Sequence, residues 1–486
     1  MKLLFPRSHL VALAASALLA ACASGDGLQP GARALDLGAL AAQDSLAALP
    51  TAVDGWPAGE WWKAYGDPQL DLLVDAALAG SPSLAIARAR IEQAVALAGA
   101  ADAARQPQLV GGASVDRQRF PERGLFPPPI AGATLTTGTL AANFSYEFDF
   151  WGRQQSALEA ALSRARAAAI EAEAAKLTLA AAVAHSYVEL EHQYALLDVA
   201  QDALKQREQI RALTALRSSA GLDAEVELHQ SAATLFAARS DLAAASERIT
   251  LLKNELAALV GQGPDRGVNI ARPKLGPGPA AALPANLPAV LLGRRPDIVA
   301  QRLRVEAAGG DIAAARARFY PNINLTALLG MQSVGLDRLL MGGNRIFETG
   351  AALNLPIFDG GRLRANLAAR DADYDLAVEQ YNSTLVAALR DVADQVNSWH
   401  AIDLQSTEQR QAQAEAEKAY RLALLRYRGG LSSYLSVLGS ESQLLAQQRA
   451  GADLRARRLM ASIGLCRALG GGFQDGPAPL ASRTQP

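Results

Sequence analysis

The chain has 486 residues, half of them hydrophobic but only 5% aromatic, and its 47 Lys and Arg stand against 48 Asp and Glu. That near-neutral balance offers no basic face for nucleic acid. Two cysteines cannot build a disulfide framework or a zinc cluster, and the apolar content excludes a disordered chain. No apolar run approaches the ~18 residues of a transmembrane helix, so any crossing of a bilayer has to be made by strands.

Lys2 and Arg7 precede an apolar stretch, residues 10–21, that ends on small residues in the pattern of a secretory signal. It closes in Leu19-Ala20-Ala21-Cys22, which resembles the lipobox of bacterial lipoproteins. The resemblance implies cleavage before Cys22 and acyl chains on its sulfur and new amino group, and several chains on one residue anchor stably. Ala23 follows, where an aspartate in that family marks retention at the inner membrane. Residues 1–21 are thus expected to be a signal and residues 22–60 a lipidated tether. Cys466 lies in an apolar helical stretch and reads as a core thiol.

The rest is a unit repeated twice. Arg88-Ala89-Arg90-Ile91-Glu92 recurs as Arg302-Leu303-Arg304-Val305-Glu306, and Pro107 as Pro321, both 214 residues on; Gly152-Arg153 recurs as Gly361-Arg362, and Gly221-Leu222 as Gly430-Leu431, both 209 residues on. The first repeat covers 61–260, with strands at about 109–120 and 134–150 and long helices at about 155–217 and 222–260. A Gly/Pro-rich connector, 261–290, leads to the second repeat, 291–470. That repeat has strands at about 322–333 and 347–358 and helices at about 364–427 and 432–469. Residues 471–486 form a Gly/Pro-rich, flexible tail.

Residues 155–217 contain neither proline nor glycine and as one helix would reach ~95 Å, longer than a compact domain needs. Leu228, Leu235, Leu242, Ile249 and Leu256 recur every seven residues, each followed three later by Ser231, Ala238, Ala245, Leu252 and Leu259, the a/d stripe of a coiled coil. In the strand at 134–150, Phe144, Tyr146, Phe148 and Phe150 share one face and Ser145, Glu147 and Asp149 the other, an alternation that fits a transmembrane barrel strand. Four strands cannot close a barrel and an open edge in lipid is not viable, so several chains would have to share one.

At this point the chain resembles the outer-membrane factors of bacterial tripartite efflux systems, in their lipoprotein branch. The resemblance rests on Trp61-Trp62-Lys63-Ala64-Tyr65-Gly66-Asp67-Pro68-Gln69-Leu70, Tyr146-Glu147-Phe148-Asp149-Phe150-Trp151-Gly152-Arg153, Leu292-Gly293-Arg294-Arg295-Pro296-Asp297-Ile298 and Leu355-Pro356-Ile357-Phe358-Asp359-Gly360-Gly361-Arg362. It implies a mainly α fold with a small β part: a homotrimer with an α-helical periplasmic tunnel joined to a shared 12-stranded outer-membrane β-barrel. It also implies passive conduction of drugs or other toxic small molecules, with a periplasmic membrane-fusion adaptor as partner. The implied energy source is an inner-membrane pump, first of the resistance-nodulation-division type, second of the major-facilitator type. The helix–helix turns would be the adaptor-contact tips: Ser219, Ala220, Gly221 and Leu222 in one, Gly429, Gly430 and Leu431 in the other. In the family a tyrosine before the second turn bonds to an acid after the first and holds the tunnel shut. Tyr427 matches that tyrosine, and Glu227 stands where the family has an aspartate. Asp223 and Glu225, with Glu227, would be entrance acids, or would complement the positive end of a helix.

A P-loop is absent, and His185, Glu189 and His192 do not reproduce a zinc-binding spacing. No enzymatic centre, metal or cofactor is therefore expected. The alternative is a non-conducting coiled-coil lipoprotein that braces the envelope, which explains the heptads but not the aromatic strands or the duplication.

Overall fold

The computed structural model describes residues 27–475 except 37–39, 41–44, 46–48, 53–54, 280–281 and 285–286. The signal stretch, Cys22 and the tail beyond 475 lie outside the described residues. The first repeat comprises helices α1 (Pro68–Gly80) and α2 (Pro82–Ala103), strands β1 (Gln108–Arg119) and β2 (Thr134–Phe148), then α3 (Arg153–Ser219) and α4 (Glu225–Leu259). The second comprises α5 (Leu287–Arg294), α6 (Pro296–Ala317), β3 (Asn322–Val334), β4 (Arg345–Asn354), α7 (Arg362–Arg428) and α8 (Tyr434–Ala468). The duplication is visible in the lengths: α2 and α6 have 22 residues each, α3 and α7 have 67, α4 and α8 have 35.

The helices begin where carboxylates cap them. Asp149 accepts the backbone N–H groups of Gln154 and Gln155 at 3.1 and 2.8 Å, and Asp359 those of Gly361 and Leu363 at 3.0 and 2.8 Å. This is why β2 stops at Phe148 rather than at 150. β4 ends at Asn354, before Pro356, which has no N–H for a ladder. The heptad stripe of α4 does what its spacing requires. All ten of its residues are buried or half-buried, whereas Phe236 and Leu251, off the stripe, are 63% and 57% exposed.

Two compact units divide the chain. Of the described residues, those in 27–34, 91–167 and 301–381 form one, and those in 35–90, 168–300 and 382–475 the other. The first holds an antiparallel sheet in the order β1-β2-β3-β4, with Leu140 opposite Ala113 and Met331, and Met331 opposite Arg345. Tyr146 and Phe148 meet edge to face at 5.1 Å and Phe148 stacks on Phe150 at 5.6 Å, so the aromatic side of β2 is one continuous face. β1 is exposed along its whole length and β4 everywhere but Ile346. Both are bare edges that lipid would not tolerate. Beside the sheet, Ile312, Ala315, Phe319, Leu363 and Leu367 pack together with Leu28.

The second unit is built on a core of Trp61, Tyr65, Leu70, Leu73, Tyr187, Leu190, Leu256 and Ile463. The motif at 61–70 is the knot of this core. Asp67 accepts from Gln69 N at 3.0 Å, Tyr187 Oη at 2.7 Å and Lys274 N at 2.7 Å, and Tyr65 Oη donates to Ser462 Oγ at 2.9 Å. By length and composition the continuous span Pro68–Ala103 could cross a bilayer. It is nevertheless interrupted at Ser81, and Leu70, Leu73, Val74 and Ala77 are spent in the core. Cys466 is a buried thiol of this core, pushed by burial up to about 12.

Candidate functional site

The two long hairpins of the second unit reverse in the same way. After α3, Leu222 N donates to Arg217 O at 2.9 Å and Gly221 N to Ser218 O at 2.9 Å; after α7, Leu431 N donates to Arg426 O at 2.8 Å and Gly430 N to Tyr427 O at 3.0 Å. These are paired Schellman closures, and each needs a left-handed residue at C′. Gly221 and Gly430 supply it with φ of +72° and +71°. A Cβ at either would meet nothing within 4 Å, so the requirement is backbone conformation and not space. Gly221→Ala and Gly430→Ala are each expected to lower stability by about 1 kcal/mol, read as a drop in melting temperature; unchanged melting would contradict the assignment. Ser219, Ala220, Gly221 and Leu222 are exposed, as are Gly429, Gly430 and Leu431.

Just inside the turns lies a polar cluster joining the two hairpins. Tyr427, fully buried, donates its hydroxyl to Asp223 Oδ2 at 2.6 Å and lies 3.1 Å from Thr214 Oγ1. Arg217 grips Asp223 with both arms of its fork, Nε to Oδ2 at 3.0 Å and Nη2 to Oδ1 at 3.1 Å. Its third donor, Nη1, reaches Tyr427 O at 3.2 Å, and the guanidinium lies 4.7 Å from the Tyr427 ring centre. The Asp223 side chain is 8% exposed. Burial works against its charge, but the hydrogen bonds from Arg217 and Tyr427 outweigh burial and hold its carboxyl below the usual range. Burial, then the negative Asp223, pushes the Tyr427 hydroxyl up.

The acid that Tyr427 reaches within the chain is therefore Asp223, not Glu227. Glu227 is turned back on its own helix, where Oε2 accepts Ala224 N at 3.1 Å and caps the start of α4. Nor do the three acids form a free set at an entrance: Asp223 is ion-paired, Glu227 caps, and of the three only Glu225 is exposed. Arg217 and Thr214 were not singled out in the sequence. The signal was present as a break in the duplication, because Arg217 recurs as Arg426 while Asp223, six residues on, recurs as Ser432.

The histidines of α3 play a different part. His192 lies 3.3 Å from Glu189 Oε1 on its own helix and 2.6 Å from Asp453 Oδ1 on α8, and the positive charge of Arg248 on α4 also acts on Glu189. The bond to Glu189 raises the affinity of His192 for a proton, opposed by burial and aided by Asp453. A raised imidazole contributes its stability in full below its ordinary range and loses it as pH climbs through the raised value. The gap in melting temperature between the native protein and His192→Gln should accordingly be wider at about pH 5.5 than at about pH 8.5; the reverse order would contradict it. Among the described residues no group of three His, Cys, Asp or Glu is placed to hold a metal ion.

Two blocks of the chain, residues 73–262 and 287–471, match the family model described as outer membrane efflux protein, one block to each repeat. The chain belongs to the outer membrane efflux protein family. It is 40% identical over 369 residues to the fusaric acid resistance protein FusA of Burkholderia cepacia, which covers 75% of this chain and 69% of that one. It is 34% identical over 438 residues to the multidrug resistance outer membrane protein MdtP of Escherichia coli K12, covering 88% and 89%. Among solved structures, the outer membrane protein VceC of Vibrio cholerae aligns with a TM-score of 0.81 at 40% identity, covering 86% of this chain and all of that one. The protein is thus an outer-membrane efflux channel and not an enzyme. Channels of this family are homotrimeric parts of tripartite efflux systems, which gives the bare edges of β1 and β4 their partners. It also sets aside the bracing lipoprotein.

Proposed function

We propose that the cluster of Arg217, Asp223, Tyr427 and Thr214 is the latch that holds the periplasmic end of this channel closed. We further propose that the exposed turns around Gly221 and Gly430 are where a periplasmic adaptor docks to release it. The observation that carries the reading is the bidentate Arg217–Asp223 pair joined to Tyr427, because it ties the first hairpin to the second immediately inside two glycine turns. Tips that separate must break it, and tips that stay together keep a charged group out of water. Energy comes from an inner-membrane pump, with the resistance-nodulation-division type the first expectation and the major-facilitator type the second. The conducted compounds are small organic toxicants, and fusaric acid, named in the relative FusA, is the first to test.

The lipid anchor at Cys22 belongs to the same proposal. Gly31 N and Ala32 N donate to the carboxylate of Asp375 at 3.2 and 2.8 Å, and Leu28 packs against Phe319, Leu363 and Leu367 beside the strand–helix junction. Five residues separate Cys22 from Leu28, a stretch that spans at most ~20 Å, so the contact made by Leu28 lies within the reach of an anchor at Cys22.

A photo-crosslinking residue in place of Ser219, introduced in cells, tests the docking reading. Capture of an adaptor, with its pump, is the expected result, and the pump captured names the energy source. Capture of only this protein or of cell-wall material, with the channel abundant, would contradict it.

A further inference from the structure

At the strand–helix junctions of the first unit the two repeats differ in charge. Arg153, at the start of α3, donates Nε and Nη2 to Glu147 Oε1 at 3.1 and 2.5 Å. Its counterpart 209 residues on is Arg362, where the place of Glu147 is taken by Pro356. Arg318, just before β3, has Ala104 as its counterpart 214 residues earlier. The second repeat therefore has no carboxylate at the place that pairs with Arg153 in the first, and it carries a guanidinium at 318 where the first has alanine. Arg318 and Arg362 are exposed, and neither guanidinium has a hydrogen-bond or ion-pair partner among the described residues.

Both arginines line one cleft of about 280 Å³, together with Trp151, Tyr320 and Asn322. Its carboxylates are already engaged, Glu147 by Arg153 and Asp149 by the start of α3. Three arginines against two acids leave the lining with a net charge of +1. The rim is aromatic: Trp151 stacks on Tyr320 at 4.6 Å, donates Nε1 to Pro321 O at 2.8 Å, and like Tyr320 is 51% exposed. Half-exposed Trp and Tyr at the end of barrel strands mark the headgroup layer of a bilayer, which places the cleft at headgroup depth. Its wall also holds an acceptor without a donor, since Asn322 Oδ1 is buried and has no hydrogen-bond partner.

We propose that this cleft binds the headgroup of an anionic phospholipid in the periplasm-facing leaflet. The phosphodiester lies between Arg318 and Arg362, and a headgroup hydroxyl donates to Asn322 Oδ1. Guanidinium pairs suit phosphate oxygens geometrically as well as electrostatically. The orphaned amide oxygen favours a headgroup that carries hydroxyls, as phosphatidylglycerol does, over one that carries only a quaternary amine. This proposal stands on the outer-membrane location alone and is independent of the latch.

The full-length trimer, reconstituted in phosphatidylcholine vesicles doped with phosphatidylglycerol, is extracted in mild detergent, washed, and its retained lipid counted by mass spectrometry. The native protein should retain phosphatidylglycerol over phosphatidylcholine. The Arg318→Gln/Arg362→Gln protein should lose that preference by about ten-fold or more, and Arg421→Gln, exposed elsewhere on α7, should keep it. Equal retention by the native and doubly substituted proteins would overturn the site. So would removal of the lipid by inorganic phosphate in the wash, which would make free phosphate the ligand. Dissociation of the double variant into monomers would assign the arginines to a neighbouring protomer and overturn it too.

Discussion

Asp223→Ala is expected to leave the periplasmic end of the channel unlatched, and cells carrying it should become sensitive to bulky antibiotics that the outer membrane normally excludes. Asp223 is the hub of the cluster, taking two hydrogen bonds from Arg217 and one from Tyr427. Removing it leaves a guanidinium whose side chain is only 14% exposed with the Tyr427 carbonyl as its remaining partner. Taking one partner from such a pair costs about 3 kcal/mol, which is roughly a hundred-fold in the ratio of closed to open tips. Tyr427→Phe removes the hydroxyl's contacts with Asp223 and Thr214 but leaves the ion pair, so its effect should be smaller, about 1–2 kcal/mol. The Asp223 carboxyl is held below its ordinary range, so its contribution is present above that range and lost as pH falls through the lowered value. The latch should hold at neutral pH and weaken only in acid. Antibiotic sensitivity unchanged in Asp223→Ala, with the protein present at native levels, would contradict the latch.

Asp67→Ala should be the most destructive single change in the second unit. The carboxylate is 7% exposed, caps α1 through Gln69 N, and satisfies both the Tyr187 hydroxyl and the Lys274 amide. Alanine would remove a helix cap worth about 1 kcal/mol and leave buried donors short of an acceptor at about 1–3 kcal/mol each, a total of roughly 4 kcal/mol. The expected readout is a melting temperature far below native, with a reduced yield of trimer. Tyr187→Phe should cost less, because Asp67 keeps its other two donors. A melting temperature within a degree or two of native for Asp67→Ala would contradict the role of this knot.

The large architecture was legible because its physics is periodic. The duplication showed in offsets of 214 and 209 residues, and α3 and α7 showed as runs free of proline and glycine. The heptad of α4 named the ten residues that turn inward. The glycine turns were legible for the same reason, since a left-handed C′ leaves few alternatives to glycine. Side-chain pairing was not. Glu227 and Asp223 follow the same turn four residues apart, and only the backbone path decides which one caps the helix and which one faces Tyr427. Alignment to a family pattern favoured Glu227, whereas the geometry selects Asp223, because it follows the Schellman turn directly and lies within reach of Arg217 one turn earlier. The motif at 61–70 carried family identity but no direction as to role. Its aromatic and acidic residues resolve into a core knot around Tyr187, a residue 120 positions from Asp67 that no local spacing could have paired with it.

The most direct test of the central claim, a passive duct closed by the Arg217–Asp223–Tyr427 cluster, is single-channel recording of the purified trimer in a planar lipid bilayer. The native protein should show a small closed conductance, and Asp223→Ala a several-fold larger and long-lived open level under the same conditions. Absence of any channel in both proteins would contradict conduction, and equal conductances would contradict the latch.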